Sequence, residues 1–137
     1  MTQQTELSMI KVAVVGSGYW GKNLIRNFHE LGALKLICDR NEATLAHFQQ
    51  EYPGTDICLA YTDVIRREDI EAVVIATPAE THFSLVREAL LSKRHVFVEK
   101  PLALTEAQAQ DLVELAEKAK LPLMVGHILH YHPAVRK

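Results

Sequence analysis

The stretch IKVAVVGSGYWG, residues 10–21, decides the fold of this chain. Its first half is apolar and β-branched, which is typical of a buried parallel strand. Its second half has the spacing GxGxxG, and apolar residues at helical spacing follow it. A strand, such a loop and a helix in succession are typical of a site where backbone N–H groups and the positive helix end receive a pyrophosphate. The stretch therefore predicts a dinucleotide-binding βαβ unit.

Each glycine of the loop has a separate predicted task. Gly16 would permit the tight turn, Gly18 would let a pyrophosphate approach the backbone, and Gly21 would let the helix pack on the strand. Tyr19 and Trp20 complete the loop, and we predict all five residues to contact the cofactor. A glycine-rich turn without a ligand is the less favoured interpretation.

The alternation of strands and helices continues to the end of the chain. Strands are predicted at 10–15, 34–38, 57–61, 72–76, 95–98 and 123–125, and helices at 19–31, 42–52, 63–67, 81–91 and 105–120. Short connections between alternating elements predict an α/β fold, a single-domain doubly wound parallel sheet of the Rossmann type. In the first helix the apolar stripe is Trp20, Leu24, Phe28 and Leu31; in the second we expect Leu45, Ala46 and Phe48 to face inward.

Length and composition narrow the class of protein. The 137 residues are 48% hydrophobic, which suits one domain, and the net charge of −2 gives no reason to expect nucleic acid or a membrane as partner. We expect a disordered arm at 1–8, the nucleotide-binding domain at 9–126, and the start of a connection at 127–137. With no leader-like segment, a cytoplasmic location is expected. Cys38 and Cys58 are interpreted as ordinary buried thiols rather than a disulfide or redox pair, and no metal-binding spacing is found.

Asp39 follows the second strand, at the position where an acidic residue hydrogen-bonds the ribose 2′-OH of NAD. A carboxylate there would repel a 2′-phosphate, so NAD is favoured over NADP. Arg40 is predicted to contact the cofactor as well, and it could stack on the adenine or attract a 2′-phosphate. Coenzyme A is a disfavoured third ligand, because Asp39 is placed for a free ribose hydroxyl.

Two further segments follow predicted strands, and ligands of such sheets bind beyond the carboxyl ends of the strands. Thr77 and Pro78 come after the fourth strand, with His82 opening the next helix, and we predict that these three residues lie near the nicotinamide half.

Glu99 and Lys100 follow the fifth strand directly, with Pro101 restricting the backbone after them. Lysine at a strand end is usually a solvated charge. At this edge, however, Lys100 could accept a proton from a substrate hydroxyl while hydride leaves the same carbon. Glu99 could orient Lys100 or bind the nicotinamide ribose.

Taken in order, these motifs resemble the N-terminal NAD(P)-binding domain of the glucose–fructose oxidoreductase/inositol dehydrogenase (Gfo/Idh/MocA) family. The matching segments are GSGYWG at 16–21, CDR at 38–40, ATP at 76–78, TH at 81–82, EKP at 99–101 and VG at 125–126. The resemblance implies NAD-dependent oxidation of a sugar, cyclitol or nucleotide-sugar hydroxyl. It implies catalysis and substrate contact by Lys100, and cofactor contacts by Glu99 and Thr77.

The segment from Gly126 to Pro133 looks most like nucleotide-sugar 3-dehydrogenases, and we predict that His127 contacts substrate. Family members carry a C-terminal α/β substrate domain, which the resemblance implies is absent here, so the isolated chain is expected to be inactive. A non-catalytic regulatory or scaffold module that binds the dinucleotide is the alternative. Apolar tail residues, Ile128, Leu129 and Tyr131, could support a homo-oligomer.

Overall fold

A computed structural model describes residues 9–127 and 133–134 of the chain. The strands are β1 Val12–Val15, β2 Leu34–Cys38, β3 Asp56–Cys58, β4 Ala72–Ile75, β5 His95–Glu99 and β6 Leu123–Gly126. The helices are α1 Tyr19–Glu30, α2 Glu42–Glu51, α3 Tyr61–Arg66, α4 His82–Leu91 and α5 Glu106–Ala119, with a 3₁₀ turn at Ala79–Thr81. The expected arm at 1–8 lies outside the described residues, as do most of the tail positions.

All six strands are parallel, and their order across the sheet is β3-β2-β1-β4-β5-β6. The order reverses between β1 and β4, where Val12 pairs with Ala72 and Val15 with Ile75. Such a reversal opens a crevice beyond the carboxyl ends of the two strands. The predicted doubly wound parallel sheet is therefore confirmed, and its binding crevice lies next to the glycine loop.

The central strand β1 is buried on both of its faces, as is typical of a parallel sheet. Along β1, Ala13 and Val15 belong to one apolar cluster, and Val12 and Val14 belong to the other. The first cluster lies beneath α3, α4 and α5, and the second beneath α1 and α2. Since successive strand residues point to opposite faces, β1 reads as a continuous apolar run.

Two predictions about helix faces were wrong in part. In the predicted stripe of α1, Leu24 and Phe28 pack against the core, while Trp20 and Leu31 are 50% and 62% exposed. The buried residues of this helix are Gly21 and Ile25. The helix lies close to the sheet at Gly21, which has no side chain. The neighbouring Trp20 therefore points outward. In α2, Leu45 and Phe48 are buried as expected, but Ala46 is exposed.

The element boundaries differ from the prediction mainly around β3. The strand ends at Cys58, and Tyr61, expected at its end, opens α3 and donates a hydrogen bond of 2.7 Å to the Leu85 carbonyl. Helix α5 has a side-chain cap at its start, where the Thr105 hydroxyl accepts a hydrogen bond from the Gln108 backbone N–H.

On the α1 side, the amino-terminal half of the sheet carries an apolar groove of about 420 Å³. Phe28, Leu31, Phe97 and Met124 contribute to its lining. The tail residues predicted to support self-association lie outside the described residues. Among the described helices, none is long and apolar enough to cross a membrane.

Candidate functional site

The glycine loop joins β1 to α1 through two very close backbone approaches. Gly16 has a φ of +91°, and a Cβ there would lie 2.7 Å from the Ala76 carbonyl oxygen at the end of β4. A Cβ on Gly21 would overlap the Gly16 carbonyl oxygen. Any side chain at either position would push the loop away from the crevice, so only glycine fits both.

The first turn of α1 is open toward the crevice. Gly18 is the N-cap residue, no side chain caps the helix, and a Cβ on Gly18 would meet nothing within 4 Å. The first N–H groups of the helix therefore have no side-chain acceptor, and they and the helix dipole favour an anion. Tyr19 and Trp20 stand exposed on the same turn with their rings edge to face, 5.4 Å between centroids.

Asp39 is tied directly to this loop. Its Oδ2 accepts hydrogen bonds from the Ser17 backbone N–H, at 2.9 Å, and from the Ser17 hydroxyl. Its Oδ1 accepts one from the Asn41 backbone N–H at 2.8 Å. Partial burial opposes ionisation of Asp39, but these hydrogen bonds outweigh it and lower the pKa of the carboxyl. The group is therefore a carboxylate at neutral pH.

A carboxylate has room for about four hydrogen bonds, and three acceptor positions of Asp39 are already used. The remaining position suits one ribose hydroxyl. Arg40 beside it is exposed, so its guanidinium is free to turn toward a cofactor. Sequence reasoning missed Ser17, which is 6% exposed; its position between the first two loop glycines was the available signal.

The end of β4 carries a small hydroxyl network. Thr81 donates to the Pro78 carbonyl at 2.6 Å, so the 2.7 Å contact between the two threonine hydroxyls has Thr77 as donor. Thr77 is half-buried and Pro78 exposed. This network fixes the turn that leads from the sheet edge into α4. The predicted cofactor contacts of Thr77 and Pro78 remain predictions.

His82, at the start of α4, is buried, with only 1% of it exposed. Its Nε2 lies 2.8 Å from the Thr77 carbonyl oxygen and its Nδ1 lies 2.6 Å from the Pro101 carbonyl oxygen. The ring thus joins the segment after β4 to the segment after β5. Its predicted contact with the cofactor remains a prediction, and both hydrogen bonds described for the ring are to backbone carbonyls.

Lys100 lies at the exposed end of β5 and forms no hydrogen bond or ion pair with the described residues. Glu99 is half-buried and packs against the end of β6, since a Cβ on Gly126 would lie 3.0 Å from Glu99 Oε1. The Lys100–Pro101 peptide is cis. His127, exposed, follows directly after β6. Their predicted roles stay predictions.

The sheet order spreads these groups along one edge. Asp39 follows β2, the glycine loop follows β1, Thr77 follows β4 and Lys100 follows β5. Three strand spacings, about 14 Å, separate the first of these from the last. A ligand that reaches from Asp39 to Lys100 has to be extended, as a dinucleotide is.

The fold and this loop define the class of protein, a nucleotide-binding Rossmann domain. A family model described as "Oxidoreductase family, NAD-binding Rossmann fold" matches residues 10–127. The chain therefore belongs to the Gfo/Idh/MocA oxidoreductase family, as the sequence resemblance indicated.

One curated relative is a glycosyl hydrolase family 109 protein from Shewanella sp. (strain W3-18-1), 32% identical over 92% of this chain and 30% of its own length. Solved structures with the same fold include GenD2 from gentamicin A biosynthesis in complex with NAD (TM-score 0.85, 27% identity, 91% of this chain and 36% of that one). The chain thus spans about a third of the length of these proteins.

Two further structures have nucleotide-linked compounds in their names. UDP-N-acetylglucosamine 3-dehydrogenase GnnA from Acidithiobacillus ferrooxidans has a TM-score of 0.84 and 27% identity over 93% of this chain and 41% of its own. KijD10, a 3-ketoreductase from Actinomadura kijaniata solved with NADP and TDP-benzene, has 0.83 and 26% over 91% and 39%. Proteins with this fold thus use either NAD or NADP.

Proposed function

We propose that this chain is the cofactor-binding part of an NAD-dependent dehydrogenase that acts on a sugar, cyclitol or nucleotide-sugar hydroxyl. The pyrophosphate would sit on the open first turn of α1, the adenosine ribose on Asp39, and the nicotinamide between Thr77 and Lys100. Hydride would pass from the substrate carbon to the nicotinamide, while Lys100 accepts the hydroxyl proton. A cytoplasmic setting is part of the same proposal.

One observation carries the proposal: Gly18 at the N-terminus of α1, the ionised Asp39 and Lys100 share one edge of the sheet, across the point where strand order reverses. Among the described residues, no side chain caps that helix end and none pairs with Lys100. Family membership supports the oxidoreductase class, and the nucleotide-sugar relatives support the substrate class. NAD is preferred to NADP because Asp39 is ionised and would repel a 2′-phosphate, although Arg40 could offset part of that repulsion.

Titration of the chain with NADH and NADPH tests cofactor binding. We expect NADH to bind in the micromolar range, detected as a change in nicotinamide fluorescence, and NADPH to bind at least about tenfold more weakly. Asp39→Asn, which removes the charge but keeps the shape, is expected to narrow that difference. Absence of NADH binding at millimolar concentration would exclude the proposal.

The second candidate is a dinucleotide-binding regulatory or scaffold module without chemistry. The exposure of Lys100 and its lack of a partner among the described residues favour it, because such a side chain is free to contact a ligand without taking part in chemistry. Under this alternative Lys100 contacts a phosphate or ribose and takes part in no proton transfer.

Lys100→Ala, assayed in the full-length protein, separates the two candidate functions. If Lys100 is catalytic, we expect turnover to fall by about 10²-fold or more while NADH affinity stays within about twofold. Release of sugar from a glycoside should be assayed beside NADH formation, since the curated relative is named a glycosyl hydrolase. Lys93→Ala, an exposed lysine outside the site, is the matched control. Unchanged turnover in Lys100→Ala would favour the module.

A further inference from the structure

Cys38 and Cys58 are direct neighbours in the sheet, which sequence alone did not indicate. Cys38 ends β2, Cys58 ends β3, and the two residues are Cα partners in the register of this parallel pair. Both point into the same apolar cluster, and both are free thiols. Neighbouring strands lie about 4.8 Å apart, inside the range of roughly 4.4–6.8 Å between the Cα atoms of a disulfide.

The two thiols differ in acidity and in exposure. The interaction with Cys38 lowers the pKa of the Cys58 thiol, whereas the interaction with Cys58 and burial raise the pKa of Cys38. Cys58 in turn contacts the Ala60 carbonyl at 3.7 Å. Cys38 is 3% exposed, whereas Cys58 is half-buried at the rim of the cluster. Cys58 is therefore the thiol that an oxidant reaches first, and Cys38 is the one that follows.

The pair lies next to the proposed ribose contact. Asp39 immediately follows Cys38, and its backbone N–H donates a 3.2 Å hydrogen bond to the Cys58 carbonyl. The Cβ atoms of register partners in parallel strands lie about as far apart as the strands themselves, whereas a disulfide needs a Cβ separation of about 3.8 Å. The ends of β2 and β3 would therefore be drawn together. That movement displaces the Asp39 carboxylate relative to Ser17 and the glycine loop.

We infer that Cys38 and Cys58 form a reversible disulfide that weakens dinucleotide binding at the neighbouring Asp39. The oxidant is a low-molecular-weight disulfide such as oxidised glutathione. Among the described residues no group of three His, Cys, Asp or Glu side chains could hold a metal ion, so a disulfide fits the pair better than a metal does. The effect on the cofactor rests on the function proposed above.

The exchange proceeds in two balanced steps. The Cys58 thiolate attacks one glutathione sulfur, which forms a mixed disulfide and releases one glutathione thiolate. Cys38 then loses its proton and attacks the Cys58 sulfur, forming the bond between the two cysteines and releasing the second glutathione thiolate. The protein loses two protons and two electrons, and the small disulfide is reduced to two thiols. Because the bond forms with displaced strands, dithiothreitol should reduce it readily.

Intact mass and NADH titration of the same sample test the inference. After treatment with oxidised glutathione, we expect the chain to lose two hydrogens and its NADH affinity to fall about tenfold, the loss of one hydrogen bond to a charged group. Dithiothreitol should restore both values. In the control Cys58→Ala, the remaining thiol is buried, so neither mass nor affinity should change. In Cys38→Ala, glutathione should stay attached to Cys58.

The outcomes separate this inference from the proposed function. A chain that binds NADH but keeps two free thiols would overturn the disulfide alone. A disulfide that forms with NADH affinity unchanged within twofold would overturn its effect on the site. A reduced chain that does not bind NADH would overturn the proposed function and, with it, the effect of the disulfide on cofactor binding. The parent chain suffices for these three comparisons, so they do not depend on the folding of any variant.

Discussion

At the scale of single residues, His82 connects sequence, packing and site most directly. This one ring lies within hydrogen-bond distance of two backbone carbonyls, those of Thr77 and Pro101, and a carbonyl that loses its partner costs free energy. The ring therefore stabilises the relative position of the strand ends that would flank a nicotinamide.

Replacing His82 should destabilise the fold. His82→Ala removes the partner of two backbone carbonyls and leaves a cavity where the buried ring was, and we expect a loss of about 2–4 kcal/mol of unfolding free energy. Urea denaturation followed by circular dichroism measures it. His47→Ala is the control, because that side chain is 72% exposed, and it should change stability by no more than about 0.5 kcal/mol. Equal stability of both variants would show that the two contacts of His82 contribute nothing.

At the scale of elements, the glycine loop and α1 act as one unit, in which Gly18 and Gly21 have different tasks. Gly21 faces the Gly16 carbonyl with no space for a methyl group, while Gly18 faces open space. Packing and ligand approach are therefore separable by the same substitution at two positions three residues apart. Alanine at position 21 tests folding, and alanine at position 18 tests binding.

Gly21→Ala should cost about 1–3 kcal/mol of unfolding free energy, because the added methyl overpacks the contact between α1 and the loop. Gly18→Ala keeps an ordinary φ of −73°, so its cost should stay below about 1 kcal/mol. Its methyl would project into the open space of the crevice and should weaken NADH binding by about tenfold or more. Thermal unfolding and NADH titration of both variants check these values. Reversed effects at the two positions would contradict this division.

Sequence and structure agree best where one element carries the whole signal. The loop glycines, Asp39 and the alternation of elements are local patterns, and the fold predicted from them is confirmed. The outward turn of Trp20 was missed because spacing alone does not fix which side of a wide apolar stripe meets the sheet. The Gly21 contact decides it instead.

At the scale of the whole molecule, two features that sequence did not reveal depend on which strands are neighbours. The pairing of Cys38 with Cys58 requires β2 and β3 to be adjacent and in one register. The burial of His82 requires the segments after β4 and β5 to meet above it. Neither condition is written in a local pattern, since both arise from the path of the chain across the sheet.

The reversal of strand order also has a consequence for how stability is distributed. Among the five strand pairs, β1 with β4 joins the residues most distant along the chain, Val12 with Ala72. Contacts of long sequence separation bear the largest loop-closure entropy. A dinucleotide in the crevice would touch both sides of this seam, and ligands that bind only the folded state raise its stability. The cofactor would then stabilise the contact between the two halves of the sheet, which is the contact whose formation costs the chain the most entropy.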